Sequence, residues 1–410
     1  TVGVHVRPEA RMGFTVHADE ADMFEGMASR EKDPRKSLHL DDVPTPEVAP
    51  GEALGAVMAS AINYNTVWTS IFEPVSTFSF LKRYGKISPL AKRHDLPYHV
   101  VGSDLAGVVI KTGEGVHTWK AGDKVVAHCL SVELEAPDGH DDTMMDPEQR
   151  IWGFETNFGG LAELALVKTN QLMPKPDHLT WEEAASPGLV NSTAYRQLVS
   201  ANGANMTQGD VVLIWGASGG LGSYAIQLIN AAGGNAIGVI SEEDKRDFVL
   251  GLGAKGVINR KEFNCWGQLP TVNTPEYKAW FNEVRKFGKA IWDITGKGND
   301  VDFVFEHPGE QTFPVSCFVV KRGGMVVFCA GTSGFNLTFD ARFVWMRQKR
   351  IQGSHFANLL QASQANQLVI ERRLDPCMSE VFSWADIPRA HTKMLRNEHK
   401  PGNMAVLVNA

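Results

Sequence analysis

The chain has 410 residues, 43% hydrophobic and 21% charged, with 39 Gly and 20 Pro; this is the composition of a turn-rich α/β protein of two or three domains and excludes a disordered or disulfide-stapled chain. Its net charge of −7 supplies no field for nucleic acid or an anionic membrane, so an anionic ligand must find local positive charge. Cys129, Cys265, Cys317, Cys329 and Cys377 are odd in number, far apart and never spaced as C-x-x-C, which reads as reduced, mostly buried thiols in a cytoplasmic protein. No run of about 18 apolar residues exists and Thr1–Arg7 lacks an apolar signal core, so neither export nor membrane insertion is expected.

The first forty residues, including Glu31-Lys-Asp-Pro-Arg-Lys36, are charged and loosely patterned and read as an extension wrapping over the body. From Gly51 to about Leu130, β-type runs recur at Ala53–Ser60, Gly107–Lys111 and Asp123–His128. The Gly, Pro and Asp residues between them predict a strongly bent, largely antiparallel sheet. The polar stretch Glu133–Arg150 reads as a surface loop or subunit contact. Thr180 is placed to cap a helix beginning at Trp181, and a second helix follows from Asn191.

Short apolar runs then alternate with helical segments: Val211–Trp215, Ala236–Ile240, Gly256–Ile258, Asp302–Phe305, Met325–Cys329 and Arg350–His355. All of these but Gly256–Ile258, the third strand signal, are each read as short enough for a strand buried on both faces, the pattern of a doubly wound parallel sheet. The interruption before Asp302 holds a predicted long helix, Pro275–Ile294, with Trp280, Val284, Phe287, Ile291 and Ile294 near one stripe and Lys278, Arg285, Lys286 and Lys289 largely off it.

The strongest local signal is the run from Val211 through Gly216-Ala217-Ser218-Gly219-Gly220-Leu221-Gly222 into a helix. Glycines at this junction permit a sharp turn and bring main-chain N–H groups to a pyrophosphate at the positive helix end. The strand before, the helix after and the next strand at Ala236 separate this loop from an ordinary glycine turn. At the tip of the second strand stand Ser241, Lys245 and Arg246 rather than a lone ribose-binding carboxylate, which favours NADPH. Glu242 and Glu243 keep open an acceptor for the ribose, and the two basic residues could equally be a solvated helix face.

Taken in order, the bent sheet, Gly102-Ser-Asp-Leu-Ala-Gly-Val-Val109, Ala121-Gly-Asp-Lys-Val125 and the glycine loop resemble the medium-chain dehydrogenase/reductase superfamily over roughly residues 45–410. Zinc-dependent members carry Gly-His-Glu where this chain has Gly102-Ser103-Asp104, and the one adjacent imidazole–thiol pair is His128-Cys129. A catalytic zinc needs three such ligands, so no metal is expected, and reduction of an activated C=C bond replaces alcohol oxidation. Ser60–Thr69, Ile151–Glu163 and Lys349–Asn358 closely resemble the crotonyl-CoA carboxylase/reductase family, and the likeness covers nearly the whole chain.

That resemblance implies an NADPH-dependent reduction of a 2-enoyl-CoA with capture of CO2 on the α-carbon. It implies that Asn65 and the main chain near Phe154 and Glu155 hold CO2, while Glu155 and His355 hold a water that completes the site. The residue types suit these roles, because CO2 carries no charge and is fixed by weak donors, Phe154 excludes solvent, and a carboxylate with an imidazole orients water. Read singly, Asn65 could be a turn residue, Phe154 core, Glu155 a sheet-rim charge and His355 a strand-end histidine. Lys286 and Arg342 are implied as partners of the CoA phosphates, with solvated surface charge as the other reading.

Departures from common family sequences are His140-Asp141-Asp142, Phe318 and the strip Met325–Phe339; they leave adenine contacts, subunit coupling and acyl-chain length open. The expected architecture is a discontinuous GroES-like catalytic domain, residues 1–190 and 361–410, with a doubly wound Rossmann NADPH-binding domain over 191–360. The expected activity is reductive carboxylation of crotonyl-CoA or a longer analogue to an alkylmalonyl-CoA, by a cytoplasmic homotetramer. A plain NADPH-dependent enoyl-thioester or quinone reductase, and a non-catalytic NADPH-binding protein, are the rivals.

Overall fold

The structure is a computed structural model that describes residues 9–134 and 141–409. The chain divides into two compact units, Thr1–Val190 with Asn358–Ala410, and Asn191–Ala357. Among the described residues, no helix is long and apolar enough to cross a membrane.

In the first unit the central element is the eleven-residue strand Glu52–Ile62, buried along its whole length. Its run of Ala, Gly and Ser lets neighbours approach closely on both faces. Antiparallel partners flank it: Leu105–Thr112 on one edge, and on the other Leu164–Lys168 for its first half and Asn403–Leu407 for its second. The sheet continues through Lys124–Ala127 to Leu172–Pro174 on one side and to Met378–Phe382 on the other. The last pairing, Met378–Phe382 with Asn403–Leu407, is parallel. The end of the chain thus lies beside residues near position 60, which makes this unit discontinuous in sequence.

The first forty residues do more than wrap the body. Ala10–His17 pairs with His39–Pro44 and with Tyr98–Val100 in a second, three-stranded sheet. Phe14 and Val16, on the inward side of that strand, join a cluster with Ile62, Val67, Ile71 and Phe382. Thr180 caps the helix Trp181–Ala185 as predicted, reinforced by Glu183, whose carboxylate accepts from the Thr180 N–H at 2.9 Å. In the polar stretch, Thr143–Met145 forms a single 3₁₀ turn and Arg150–Ile151 pairs with Leu130–Ser131; His140 lies outside the described residues.

The second unit is a six-stranded parallel sheet in the order Gly256–Asn259, Asn235–Ile240, Val211–Ile214, Val301–Glu306, Val320–Phe328, Arg350–Gly353. One strand departs from expectation: Arg350–Gly353 is not buried on both faces but is a largely exposed edge strand, because it has a single neighbour. The long helix runs Pro275–Thr295, with Thr274 as its cap and Trp280, Val284, Phe287 and Ile291 buried. Phe287 stacks on Trp215 at 5.6 Å and 7° and meets Trp266 and Phe263 edge-on. The inserted helix is therefore pinned to the strand end that opens the glycine loop.

Removing that ring leaves an aromatic-lined void that the sheet cannot collapse to fill. Phe287→Ala is expected to lower the unfolding free energy by about 3–5 kcal/mol, measured as a fall in the urea midpoint at constant slope.

Candidate active site

The parallel sheet presents the glycine loop at the carboxyl end of Val211–Ile214. Gly216 sits at φ +57, and a Cβ there would lie 2.7 Å from His307 Nε2; one on Gly222 would lie 2.4 Å from the Gly216 carbonyl. Both positions accept only glycine, for backbone conformation and for close packing of the helix on the loop. The twelve-residue helix Gly220–Ala231 starts from Gly219 with no side-chain cap, which leaves its positive end for an anion. Ala217 turns inward, fully buried, with its N–H donated to Val239 O at 3.1 Å; it is a packing residue of the loop.

Two residues that sequence reading missed brace this loop. His307 Nε2 donates to the Trp215 carbonyl at 2.9 Å, and burial lowers its pKa to about 4, so it is neutral with the proton on Nε2. Glu306, fully buried, accepts from Thr312 Oγ1 at 2.7 Å, Ser316 Oγ at 2.5 Å and Gly309 N at 3.0 Å, and burial raises its pKa to about 7. Ser316 Oγ in turn accepts from Trp215 Nε1 at 2.8 Å. The available signal was a Glu-His pair ending an otherwise apolar strand.

At the tip of the second strand the two carboxylates are engaged, Glu242 with Lys261 and Glu243 with Arg246. Arg246 also donates to Val257 O at 2.8 Å. The guanidinium expected at the nucleotide is thus paired within its own turn. Ser241 and Lys245 remain, and among the described residues the Lys245 side chain has neither an ion pair nor a hydrogen bond.

In the first unit the helix Tyr64–Ser70 carries Asn65. Its cap residue Asn63 does not bond back to the helix but donates from Nδ2 to Asp104 Oδ2 at 2.5 Å. Asp104 Oδ1 accepts from Leu189 N at 2.9 Å, and a Cβ on Gly188 would lie 2.6 Å from the same oxygen. Burial raises the Asp104 pKa to about 7 against these two donors. Asn65 Nδ2 lies 2.7 Å from Ser103 Oγ, and Asn65 Oδ1 is buried without a partner.

These residues do not fit a catalytic zinc. Ser103 offers a hydroxyl in place of imidazole, the Asp104 oxygens are taken by Asn63 and Leu189, and burial holds the Cys129 thiol protonated, far above its ordinary pKa. Among the described residues the group able to chelate a metal is His17, Glu20 and His39 in the N-terminal sheet. There the imidazoles stack face to face at 4.4 Å, and each is bonded to a carboxylate.

Phe154 and Glu155 lie in a tight turn in which the N–H groups of Phe154, Glu155 and Thr156 converge on Ile151 O at 3.2, 2.7 and 3.3 Å. Glu155 Oε2 accepts from Ile151 N at 2.8 Å, and burial raises its pKa. The main-chain donors expected to face CO2 are therefore already engaged within the turn. The Phe154 ring packs against Phe80 at 5.8 Å, and its carbonyl accepts from Thr77.

His355 belongs to the second unit and follows the edge strand. The residue as a whole is exposed, yet desolvation of its ring and the Arg196 charge lower its pKa to about 4, so the imidazole is neutral at pH 7. Lys286 is exposed and paired with Glu283 at 2.6 Å. Arg342 makes a two-pronged contact with Asp340, 2.9 and 2.7 Å, and reaches Tyr277 OH at 3.4 Å. A phosphate would compete with a carboxylate at either residue.

Two family models match: "Alcohol dehydrogenase GroES-like domain" over residues 49–177 and "Zinc-binding dehydrogenase" over 220–371. A crotonyl-CoA reductase of Streptomyces avermitilis is 60% identical over 405 residues, 98% of this chain and 89% of that one. A crotonyl-CoA carboxylase/reductase of Cereibacter sphaeroides is 60% identical over 387 residues, 93% of this chain and 86% of the relative. The chain belongs to the crotonyl-CoA carboxylase/reductase family. Among solved structures, a 2-octenoyl-CoA carboxylase reductase in complex with NADP and 2-octenoyl-CoA is 47% identical, with a TM-score of 0.92 over 99% of this chain and 89% of that one. The family combines the GroES-like sheet and the doubly wound sheet described above.

The buried Asp104 carries a measurable consequence. With its carboxyl titrating near 7 when folded and near 3.8 when free, the unfolded chain loses this proton first as pH rises. Its contribution to stability falls between about pH 4 and 7 by up to about 1.4 kcal/mol per unit. In Asp104→Asn that dependence disappears, so urea unfolding is expected to move in the variant's favour relative to the parent between about pH 5 and pH 7. A constant difference would mean the carboxyl is already ionised in the fold at the lower pH.

Proposed function

We propose that this protein is an NADPH-dependent 2-enoyl-CoA carboxylase/reductase that converts crotonyl-CoA, or a longer 2-enoyl-CoA, to the corresponding alkylmalonyl-CoA. The observation that carries the reading is the 60% identity with a carboxylase/reductase over 93% of the chain. It is supported by a dinucleotide loop intact in every glycine and by a superfamily zinc position occupied by Ser103 and Asp104, whose donors do not suit the metal.

Bound NADPH supplies a hydride to the β-carbon of the enoyl thioester, and the π pair passes to an enolate. The enolate α-carbon then forms its bond to CO2, and one C–O π pair becomes a carboxylate, so no proton is consumed. The protein has to hold CO2 and to withhold water. Asn65, buried on the helix Tyr64–Ser70, is assigned to CO2, and the Phe154 ring is assigned to excluding solvent. Glu155 and a neutral His355 are assigned to orienting a water, roles that need an acceptor and a non-acidic imidazole. Lys245 and Ser241 are assigned to the 2′-phosphate. The CoA phosphates are assigned to Lys286 and Arg342, which must exchange Glu283 and Asp340 for them.

The same reading makes the enzyme zinc-independent and cytoplasmic, in keeping with five cysteines that are all free. It also makes it a homotetramer. The open edge at Arg350–Gly353 and the exposed side chains of Trp345 and Met346, at 60% and 62%, support association with further copies. Sedimentation equilibrium is expected to return a mass of four chains; a monomer would remove this part.

The deciding experiment follows NADPH oxidation with crotonyl-CoA and 2-octenoyl-CoA in the presence of a chelator, with bicarbonate and carbonic anhydrase or with CO2 stripped, and reads product masses. A CO2-dependent gain of one carboxyl group is expected, and the two chain lengths are ranked by rate. Saturated acyl-CoA alone under both conditions would make the enzyme a plain reductase. Asn65→Leu is expected to shift the product ratio at least about tenfold toward saturated acyl-CoA, the equivalent of about 1.4 kcal/mol of lost CO2 positioning.

A further inference from the structure

The contact between Asn65 and Ser103 carries more than a structural bond. The two side chains meet at 2.7 Å, both buried, Ser103 with no exposed surface. In the orientation with Nδ2 against Ser103 Oγ, two polar groups are left over. Asn65 Oδ1 is buried with no partner, and no acceptor for the Ser103 hydroxyl proton exists among the described residues. A half-turn of the amide about its last torsion keeps the same heavy-atom contact and satisfies both, with Oγ–H donating to Oδ1. It also exchanges what the amide offers to the space now faced by Oδ1, replacing a lone acceptor with an NH2.

That exchange bears on the choice between carboxylation and protonation. An acceptor facing the enolate recruits a donor, and the ready donor is water, the proton source that carboxylation must exclude. An NH2 recruits an acceptor, and the oxygens of CO2 are acceptors. The surroundings hold Ser103 still: Asp104, its neighbour, is fixed through its side chain to Asn63 and Leu189 and through its carbonyl to Ser60 Oγ at 2.8 Å.

We propose that Ser103 is a positioning residue for CO2: its hydroxyl donates to Asn65 Oδ1 and holds the amide with its NH2 toward the bound gas. This rests on the assignment of Asn65 to CO2. In this chain the residue at the superfamily's zinc-ligand position then sets the orientation of the amide that receives the electrophile.

The test is the ratio of alkylmalonyl-CoA to saturated acyl-CoA formed in one mixture at limiting CO2, a quantity independent of how much enzyme is folded or how fast it turns over. Ser103→Ala is expected to lower the ratio about fivefold, the weight of one ordinary hydrogen bond. It should also raise the CO2 concentration for half-maximal carboxylation by a similar factor while the KM for NADPH stays put. Ser103→Thr, which keeps the hydroxyl, is expected to retain at least about half of the parent's ratio. Asn65→Asp, which can accept from Ser103 but offers CO2 no donor, should lose carboxylation as completely as Asn65→Leu. An unchanged ratio in Ser103→Ala, or a fall in Ser103→Thr as deep as in Ser103→Ala, overturns the role of the hydroxyl while Asn65→Leu still reports on Asn65. An unchanged ratio in Asn65→Leu itself would remove the assignment beneath it.

Discussion

A single buried carboxylate organises the unit built on the bent sheet. Asp104 has no exposed surface, and taking an ionised carboxylate out of water is costly unless donors replace the lost hydration. The two donors it finds come from distant stretches of chain, Asn63 at the head of a short helix and Leu189 some eighty residues downstream. Each is drawn to the end of the strand that begins at Leu105, and with them come Asn65 on the helix and Ser103 beside the carboxylate. Gly188 is glycine because a side chain there would press into the same oxygen. The polar cluster is therefore both the clamp of the fold and the floor on which the proposed CO2 contact stands.

The parallel-sheet unit repeats the device with different parts. Glu306 is buried at the carboxyl end of its strand, and its partners Thr312, Ser316 and Gly309 fold the next turn around it. Ser316 passes that constraint to Trp215, whose carbonyl is held by His307 and whose ring is stacked on Phe287. The residue immediately before the glycine loop is thus fixed by side chain and main chain together, and Gly216 can take its positive φ without the loop wandering. A preformed loop binds a dinucleotide without first losing conformational entropy.

The charged groups show the opposite behaviour. Arg246, Lys286 and Arg342 each meet a carboxylate of their own neighbourhood, and all three pairs are at least partly open to solvent. Such pairs are worth little, commonly below about 1 kcal/mol, so a phosphate can displace the carboxylate, but the cations do not stand ready for one. Sequence spacing puts basic residues near the strand tip without showing that acidic neighbours answer them. Glu242 and Glu243, open as ribose acceptors on sequence grounds, are taken by Lys261 and Arg246.

Local rules made much of the molecule legible. The capping pair of Thr180 and Glu183, the stripe of the helix Pro275–Thr295, the apolar runs of the parallel sheet and the glycine loop are all decided within a few residues, where spacing and residue type report the physics directly. What the sequence alone determined was therefore the two kinds of sheet, the dinucleotide loop and the likeness to an enoyl-CoA carboxylase/reductase. Only the tertiary structure decided that Ala10–His17 is a strand, that Asn403–Leu407 lies beside Glu52–Ile62, and that Arg350–Gly353 is an exposed edge. It also decided that the main-chain donors near Phe154 and Glu155 are engaged and that Ser103 meets Asn65. Each of these depends on which distant segment arrives as a neighbour, and a buried hydrogen bond or strand pairing between residues tens to hundreds of positions apart leaves no periodic trace in the chain.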